Sequence, residues 1–410
     1  MPFDIARVRA AYPALDEGFV HLDGAGGSQV AAAVSDAVAA TMRAAVSNRT
    51  EAFAPGRRSG EIVAGARRAV ADLVGADPAG VVFGPSATAL TYTVSRALAR
   101  TWRPGDEVVV SRLDHDANVR PWLQAAESVG ATVRWAEFDL VTGELPVGQY
   151  RDLVGERTRL VAVTGGSNAI GTIPDVRAIA DIAHAAGALV YVDGVHATAH
   201  SFTDVAILGA DFYVTSAYKW SGPHLAAVVA KPGGWEPLQP AKLRPSPDSV
   251  PERFETGTLS FELLAGVTAA VDHLAGLDAA ATGDRRGRLR ASLDAAHAHG
   301  EQVFERLLAG LAARPAVAIL GKPARRCPTV SFRVDGQAPA ETATALGDRG
   351  VCVFAGDYYA YEYFQTMGLR DSGGAVRASV YHYNTADDVD RLLAEIDRLG
   401  DGRDPARRRP

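Results

Sequence analysis

The stretch Asp211–Lys231, DFYVTSAYKWSGPHLAAVVAK, decides how the rest of the chain reads. A β-branched and aromatic run, Phe212 to Thr215, breaks into a polar turn carrying Ser216, Tyr218 and Lys219. Gly222 and Pro223 follow, then a second apolar run from Leu225 to Ala230. The pattern predicts two strands joined by a tight loop with one lysine at its crest. A lysine held among apolar and aromatic neighbours has its ammonium form disfavoured by desolvation, which frees the amine for Schiff-base chemistry. The same letters also suit a solvated lysine on a hairpin, so the neighbouring sequence has to decide.

Upstream, short apolar runs alternate with helical patterns. Strands are predicted at Val81–Phe83, Glu107–Ser111, Thr132–Phe138, Arg159–Thr164, Ala188–Asp193 and Phe212–Thr215, and helices at Glu61–Val74, Ala89–Ala99, Val119–Val129 and Val176–Ala186. Such alternation implies an α/β fold with a mostly parallel sheet covered on both faces. Ligands in these folds bind outside the carboxyl ends of the strands. The polar clusters fall there: Asp114 to Asn118, Ser167-Asn168, and Asp193-Gly194-Val195-His196. Asp193 ends an apolar strand, and a buried carboxylate needs a cationic or hydrogen-bonding partner. Gly84-Pro85-Ser86-Ala87-Thr88 leads from a strand into a helix, an anion-binding arrangement because free N–H groups and the helix dipole converge there. No Gly-Lys-Ser/Thr follows, so it is not a Walker loop. The loop Gly24-Ala25-Gly26-Gly27-Ser28 either lets backbone approach a ligand or is a plain turn.

Beyond residue 232 the pattern changes. A Pro-rich loop precedes Arg253-Phe254-Glu255-Thr256-Gly257-Thr258, and a long helical region runs from Phe261 to Ala313. Strands at Val317–Leu320, Thr329–Val334 and Val376–Tyr383, flanked by helices Ala338–Gly350 and Ala386–Leu399, form a second, smaller α+β domain. The division expected is a large domain over 16–260, with 1–15 and 261–410 forming the small one. No internal repeat is visible.

The composition is that of a globular protein: 410 residues, 47% hydrophobic, 22% charged, net charge −6. The acidic balance argues against nucleic acid or an anionic membrane as partner. No apolar run approaches the roughly 20 residues of a membrane span, and the N-terminus lacks a signal-peptide core. A soluble, cytoplasmic protein is expected. The two cysteines, Cys327 and Cys352, make neither a disulfide framework nor a metal cluster, so no metal is expected. Arg285–Arg290 reads as a solvated helix face and Arg407–Arg409 as a frayed tail.

Four pieces in order, VYVDGVH, TSAYKW, RFETGT and RASVYHYNT, resemble the class V aminotransferase family of enzymes that use pyridoxal 5'-phosphate (PLP), and especially its cysteine desulfurase-like branch. The resemblance covers nearly the whole chain from His21 onward. It implies a fold type I architecture, with a large domain built on a mostly parallel seven-stranded sheet and a smaller α+β C-terminal domain. It also implies that Lys219 holds PLP as a Schiff base and shuttles protons, and that Asp193 pairs with the pyridinium nitrogen. His196 would contact the ring hydroxyl, Asn168 would lie near that hydroxyl and the substrate, and Ser86, Ala87, Thr88 and Ser216 would hold the phosphate. Asp116 and Tyr218 take up further cofactor positions. Arg377 would bind the substrate α-carboxylate, with Tyr359 beside the substrate. Thr258 matches a threonine that reaches the phosphate of the neighbouring subunit, which implies a homodimer with shared sites.

The departures from true cysteine desulfurases carry information. Those enzymes present a persulfide-forming cysteine on a small-domain loop; here the stretch is Phe354-Ala355-Gly356-Asp357-Tyr358-Tyr359-Ala360, and Cys352 lies earlier, in an apolar strand as a core residue with an inert thiol. Asp116 stands where a ring-stacking histidine is expected, and Tyr218 replaces the histidine before the lysine. The expected activity is a C–S lyase that eliminates a sulfur group from Cβ of an amino acid, with Tyr358, Tyr359 and Tyr361 lining the entrance and protonating the leaving group. The alternatives are an aminotransferase, epimerase or decarboxylating enzyme of a specialised amino acid, or a non-enzymatic PLP-bearing scaffold. Specificity is expected in the tyrosine loop, the Asn48–Ser59 segment and the Pro-rich loop.

Overall fold

The computed structural model describes residues 3–400; Arg407–Arg409 lie outside them. A seven-stranded sheet runs, edge to edge, through Val81–Gly84, Ala226–Ala230, Phe212–Ser216, Leu189–Asp193, Thr158–Thr164, Glu107–Ser111 and Thr132–Ala136. Ala226–Ala230 is antiparallel to both neighbours, and the other pairings are parallel. Alternation along each strand divides its side chains between two cores. Val109, Val161, Val163, Val190 and Val192 enter one, against the helix Phe261–Ala275. Val108, Val110, Leu160, Tyr191 and Val214 enter the other, against Trp122 and the helix Ala87–Ala99. Burial on both faces is why these strands read as apolar runs rather than as alternating ones.

The hairpin of the opening stretch forms as its pattern implies, with Phe212 opposite Ala230 and Ser216 opposite Ala226. Its crest is a single 3-10 turn, Ala217–Lys219, and it is buried rather than raised into solvent.

The second domain is a four-stranded antiparallel sheet, ordered Phe354–Gly356, Ala375–Ser379, Thr329–Val334, Val317–Leu320. The helices Arg285–Ala312 and Ala386–Gly400 cover it, with Val303, Leu307, Val330, Val376 and Leu392 in its core. The N-terminal strand Val20–His21 pairs in parallel with Val351–Cys352, and Asp23 bridges to Ser379. Val20 and Leu22 therefore belong to the second core. Phe261, Leu264, Val267 and Val271 belong to the first, as do Val8 and Tyr12. The first core also takes Leu289, Leu293, Ala360 and Tyr363, so the two cores draw on interleaved stretches of the chain.

Several elements differ from their sequence reading. The region 261–313 is two helices, broken where Gly283 takes φ +96° and Asp284 caps the second by accepting from the Gly287 N–H at 2.8 Å. The strand expected to reach Tyr383 stops at Ser379, because Asn384 Oδ1 accepts from the Tyr381 N–H and turns the chain. A helix at Ala32–Arg43 was not expected, and the helix expected from Glu61 starts at Ala54, with a proline in its first turn. That start takes up the second half of the Asn48–Ser59 segment. Arg286 is not a solvated charge: it donates to the carbonyls of Asp72, Leu73 and Thr203 and lies 3.8 Å from the Phe202 ring centroid.

Candidate active site

The carboxyl ends of the parallel strands converge on one point. There an inner cavity is lined by Ser86, Ala87, Thr88, Asn168, Asp193, His196, Ser216, Tyr218 and Lys219, together with His115. Of the residues proposed from sequence to hold a cofactor, only Asp116 and Thr258 stand outside it. It shares Thr88, His115, Asn168, Tyr218 and Lys219 with an outer cavity of about 880 Å³ that also takes in Asp116, Tyr358, Tyr359 and Arg377.

Lys219 is buried, its Nζ donating to the backbone carbonyl of Ala25 and lying 5.1 Å from the Tyr218 ring centroid. Burial, assisted by the charge of Arg377 and opposed by Asp193, lowers its pKa to about 7. Asp193 is the buried last residue of its strand and accepts from the Val195 N–H at 2.9 Å. Burial raises its pKa to about 6, against the Val195 hydrogen bond and Lys219. A carboxylate in that position is completed by a cationic N–H partner.

Three buried polar atoms around the cavities lack a partner: Asn168 Oδ1, His196 Nδ1 and Arg377 Nε. Buried polar groups are normally paired, so orphans gathered at one cavity mark a place for a polar ligand. His196 is fixed from behind, its Nε2 2.9 Å from Thr329 Oγ1, and burial with neighbouring charges keeps it neutral. At the other end Ser86 caps the helix Ala87–Ala99, accepting from the Ala89 N–H at 3.1 Å. The first-turn N–H groups of Ala87 and Thr88 have no helical carbonyl to reach, which suits an anion. A phosphate-bearing, hydrogen-bonding ring with a cationic nitrogen fits this donor set.

Arg377 is buried on the strand Ala375–Ser379, with Nη1 donating to the Asn168 carbonyl at 2.8 Å. Its guanidinium carbon is 4.4 Å from the Tyr358 ring centroid and 5.6 Å from that of Phe354.

Some positions differ from their reading. In the turn Asp114–Asn118, His115 and Ala117 line the inner cavity, while Asp116 lines only the outer one and is held by Arg120 at 2.8 and 3.1 Å. His115 Nδ1 accepts from the Ala117 N–H at 3.0 Å, and burial, with the charges of Lys219 and Arg377, lowers its pKa to about 3. An imidazole is therefore present at the inner cavity, one position before Asp116. The Tyr358 hydroxyl donates to the Ala375 carbonyl and is withdrawn from any leaving group. Tyr361 lies off the cavity, between Arg120 and Arg370. Tyr359 remains at the mouth, 73% exposed. Thr258 is exposed and lines neither cavity.

The sequence reading left Ala25 and His115 out of the site. Glycine density was the signal for the first: a Cβ on Gly26 would stand 2.2 Å from the Phe354 ring, and one on Gly27 3.1 Å from Tyr218. Neither cysteine lines the two cavities. Cys327 is buried behind Gly166, its thiol pushed up to about 12 by burial. Cys352 is half-buried rather than a full core residue, and burial raises its pKa too.

The sequence model of the class-V aminotransferases matches residues 20–392. The chain belongs to the class-V aminotransferase family. Members of this family are PLP-dependent enzymes, and this class-V aminotransferase family member is read as one. It is 38% identical over 401 residues to an uncharacterized Mycobacterium tuberculosis protein, covering 98% of this chain and 100% of the relative. It is 35% identical over 408 residues to a Pseudomonas aeruginosa protein named "Probable cysteine desulfurase", covering 95% and 97%. Among solved structures it superposes on the Escherichia coli cysteine desulfurase CsdA with a TM-score of 0.86 at 28% identity, covering 98% of this chain and 99% of that one. The α/β architecture expected for the family is the one present, a mostly parallel seven-stranded sheet with a smaller C-terminal sheet domain. No helix among the described residues is long and apolar enough to cross a membrane.

Proposed function

We propose that the protein is a PLP-dependent C–S lyase: it eliminates a sulfur substituent from Cβ of an amino acid and releases it directly as a thiol. The observation that carries this is the buried Lys219 amine, its pKa lowered to about 7, on a cavity it shares with Asp193 and on the adjoining one it shares with Arg377, in a site whose small-domain loop, Phe354 to Ala360, contains no cysteine. Ser86, Ala87, Thr88 and Ser216 would hold the cofactor phosphate, Asp193 its ring nitrogen, and His196 and Asn168 its ring hydroxyl. When bound, PLP supplies a Schiff-base carbonyl for the amino group and a ring that withdraws electrons from Cα.

The chain's own residues do the rest. Arg377 offers Nε and Nη2 to the α-carboxylate, and this anchoring sets which Cα bond stands perpendicular to the ring. Lys219 Nζ takes the proton from Cα. The Cβ–S bond then breaks, its electron pair leaving with sulfur, which acquires a proton and departs as a thiol. Hydrolysis of the remaining three-carbon fragment gives pyruvate and ammonium, so the step needs no oxidant. Asp193 keeps a proton on the ring nitrogen throughout. The working unit is a homodimer in which the exposed Thr258 serves the partner's phosphate site.

The test is a panel of cysteine S-conjugates scored by mass spectrometry for pyruvate, thiol, keto acid and carbon dioxide. Pyruvate and thiol in equal amounts support the reading. Their absence across the panel, with keto acid or carbon dioxide in their place, assigns the site to transamination or decarboxylation.

A further inference from the structure

We propose that Tyr358 is a positioning residue for the carboxylate-binding fork of Arg377, a role that rests on the assignment of Arg377 made above. Tyr358 and Tyr359 take φ +49° and +60°, two consecutive non-glycine residues in the left-handed region. Such backbone persists only where its surroundings over-determine it. Here they do. The Tyr358 carbonyl accepts from Asn168 Nδ2 at 2.9 Å, the Tyr359 carbonyl from the Asp116 N–H at 2.7 Å, and Asp357 Oδ1 takes the Tyr359 N–H at 3.1 Å. The Tyr358 hydroxyl is bound to the Ala375 carbonyl, two residues from Arg377 on the same strand.

What these bonds fix is the Tyr358 ring, 4.4 Å from the Arg377 guanidinium carbon. Three contacts close a triangle: Arg377 Nη1 to the Asn168 carbonyl, Asn168 Nδ2 to the Tyr358 carbonyl, and the Tyr358 ring to Arg377. A guanidinium held at one nitrogen by a carbonyl and over a ring by cation–π attraction has little rotational freedom left. Its remaining donors include the buried, unpartnered Nε. Because the tyrosine hydroxyl is engaged elsewhere, only the ring face acts on Arg377. The left-handed backbone is thus the means of bringing that face under the guanidinium.

The experiment measures dissociation constants on the PLP-loaded enzyme from the absorbance change with 2-aminoisobutyrate, which has a carboxylate but no α-proton, and with its carboxamide. Tyr358→Phe keeps the ring and should bind the acid within about threefold of wild type. Tyr358→Gly removes the ring, while glycine takes up the left-handed φ of +49° without steric strain. It should bind the acid about tenfold more weakly, the loss of roughly one desolvated cation–π contact, with the carboxamide unchanged. Wild-type acid affinity in Tyr358→Gly, or equal weakening of acid and carboxamide, overturns the proposal. If wild type itself does not prefer acid over carboxamide, the assignment of Arg377 fails and this role fails with it; a preference undiminished in Tyr358→Gly defeats the Tyr358 role alone.

Discussion

Lys219 donates from Nζ to the backbone carbonyl of Ala25, joining the end of a sheet strand to a glycine loop 194 positions earlier. A carbonyl can hold the amine in place whether or not it carries an extra proton, so the contact orients Lys219 without fixing it as an ammonium.

The first prediction concerns pH. Folding lowers the Lys219 pKa from 10.5 to about 7. Between those values the unfolded chain binds a proton there that the folded chain does not, so this group's contribution to stability rises with pH across that window. The same shift places uptake of PLP by the cofactor-free enzyme, followed by growth of the roughly 400–430 nm band, on a titration centred at about 7. A midpoint near the ordinary lysine value would show that the amine is solvated.

Lys219→Ala should lose that band and reduce turnover by about 10²- to 10⁴-fold, the range for removing a positioned acid–base group. An unchanged spectrum would move covalent attachment to another residue.

Asp193→Asn replaces a charge-assisted hydrogen bond with a neutral one. Such bonds contribute about 1.5–3 kcal/mol, so PLP retention should weaken by about 10- to 100-fold. Equilibrium dialysis of the loaded variant reads this directly.

Arg377→Lys keeps the charge and loses the fork. KM for the amino acid should rise by about tenfold or more, while the cofactor band stays as in wild type. A rise in KM matched by loss of the band would mean that Arg377 acts on the cofactor site instead.

Two glycines separate packing from function. A Cβ on Gly194 would stand 1.8 Å from Cζ of the buried Tyr213, so Gly194→Ala should cost about 1–3 kcal/mol and disturb the adjacent Asp193. Gly60, inside the helix Ala54–Val74, has open space at that position, and Gly60→Ala should add about 0.5–1 kcal/mol. Thermal unfolding midpoints moving in opposite directions would confirm both.

Sequence carried the large-domain sheet well, because strands buried on both faces have to be apolar from end to end, and the residues just past their carboxyl ends are then the ones free to be polar. Motifs singled out Lys219, Asp193 and Arg377, and the fold gathers all three at the two adjoining cavities. Sequence failed where a side chain's direction depends on a tight turn. His115 caps the 3-10 turn Asp116–Asn118, where neighbouring residues point about a third of a revolution apart, so His115 and Asp116 face different cavities in a way their order in the sequence does not reveal. Ala25 acts through its carbonyl, which every residue has. Phe261–Ala275 is plainly helical in sequence, but which of two cores takes its apolar face is decided by residues far away in the chain.

The short pairing of Val20–His21 with Val351–Cys352, continued by the Asp23–Ser379 bridge and the Ala25 N–H to Ser379 Oγ hydrogen bond at 2.6 Å, has a mechanical consequence. It makes the N-terminal loop a lever fastened to the small domain, with its tip resting on Lys219. The other end of that lever is pinned to the large domain, where the Ser28 N–H donates to the Tyr218 carbonyl at 3.0 Å and Ser28 Oγ accepts from the Ser221 N–H at 2.7 Å. The carbonyl that holds Lys219 therefore sits on a strap stapled to both sheets at once.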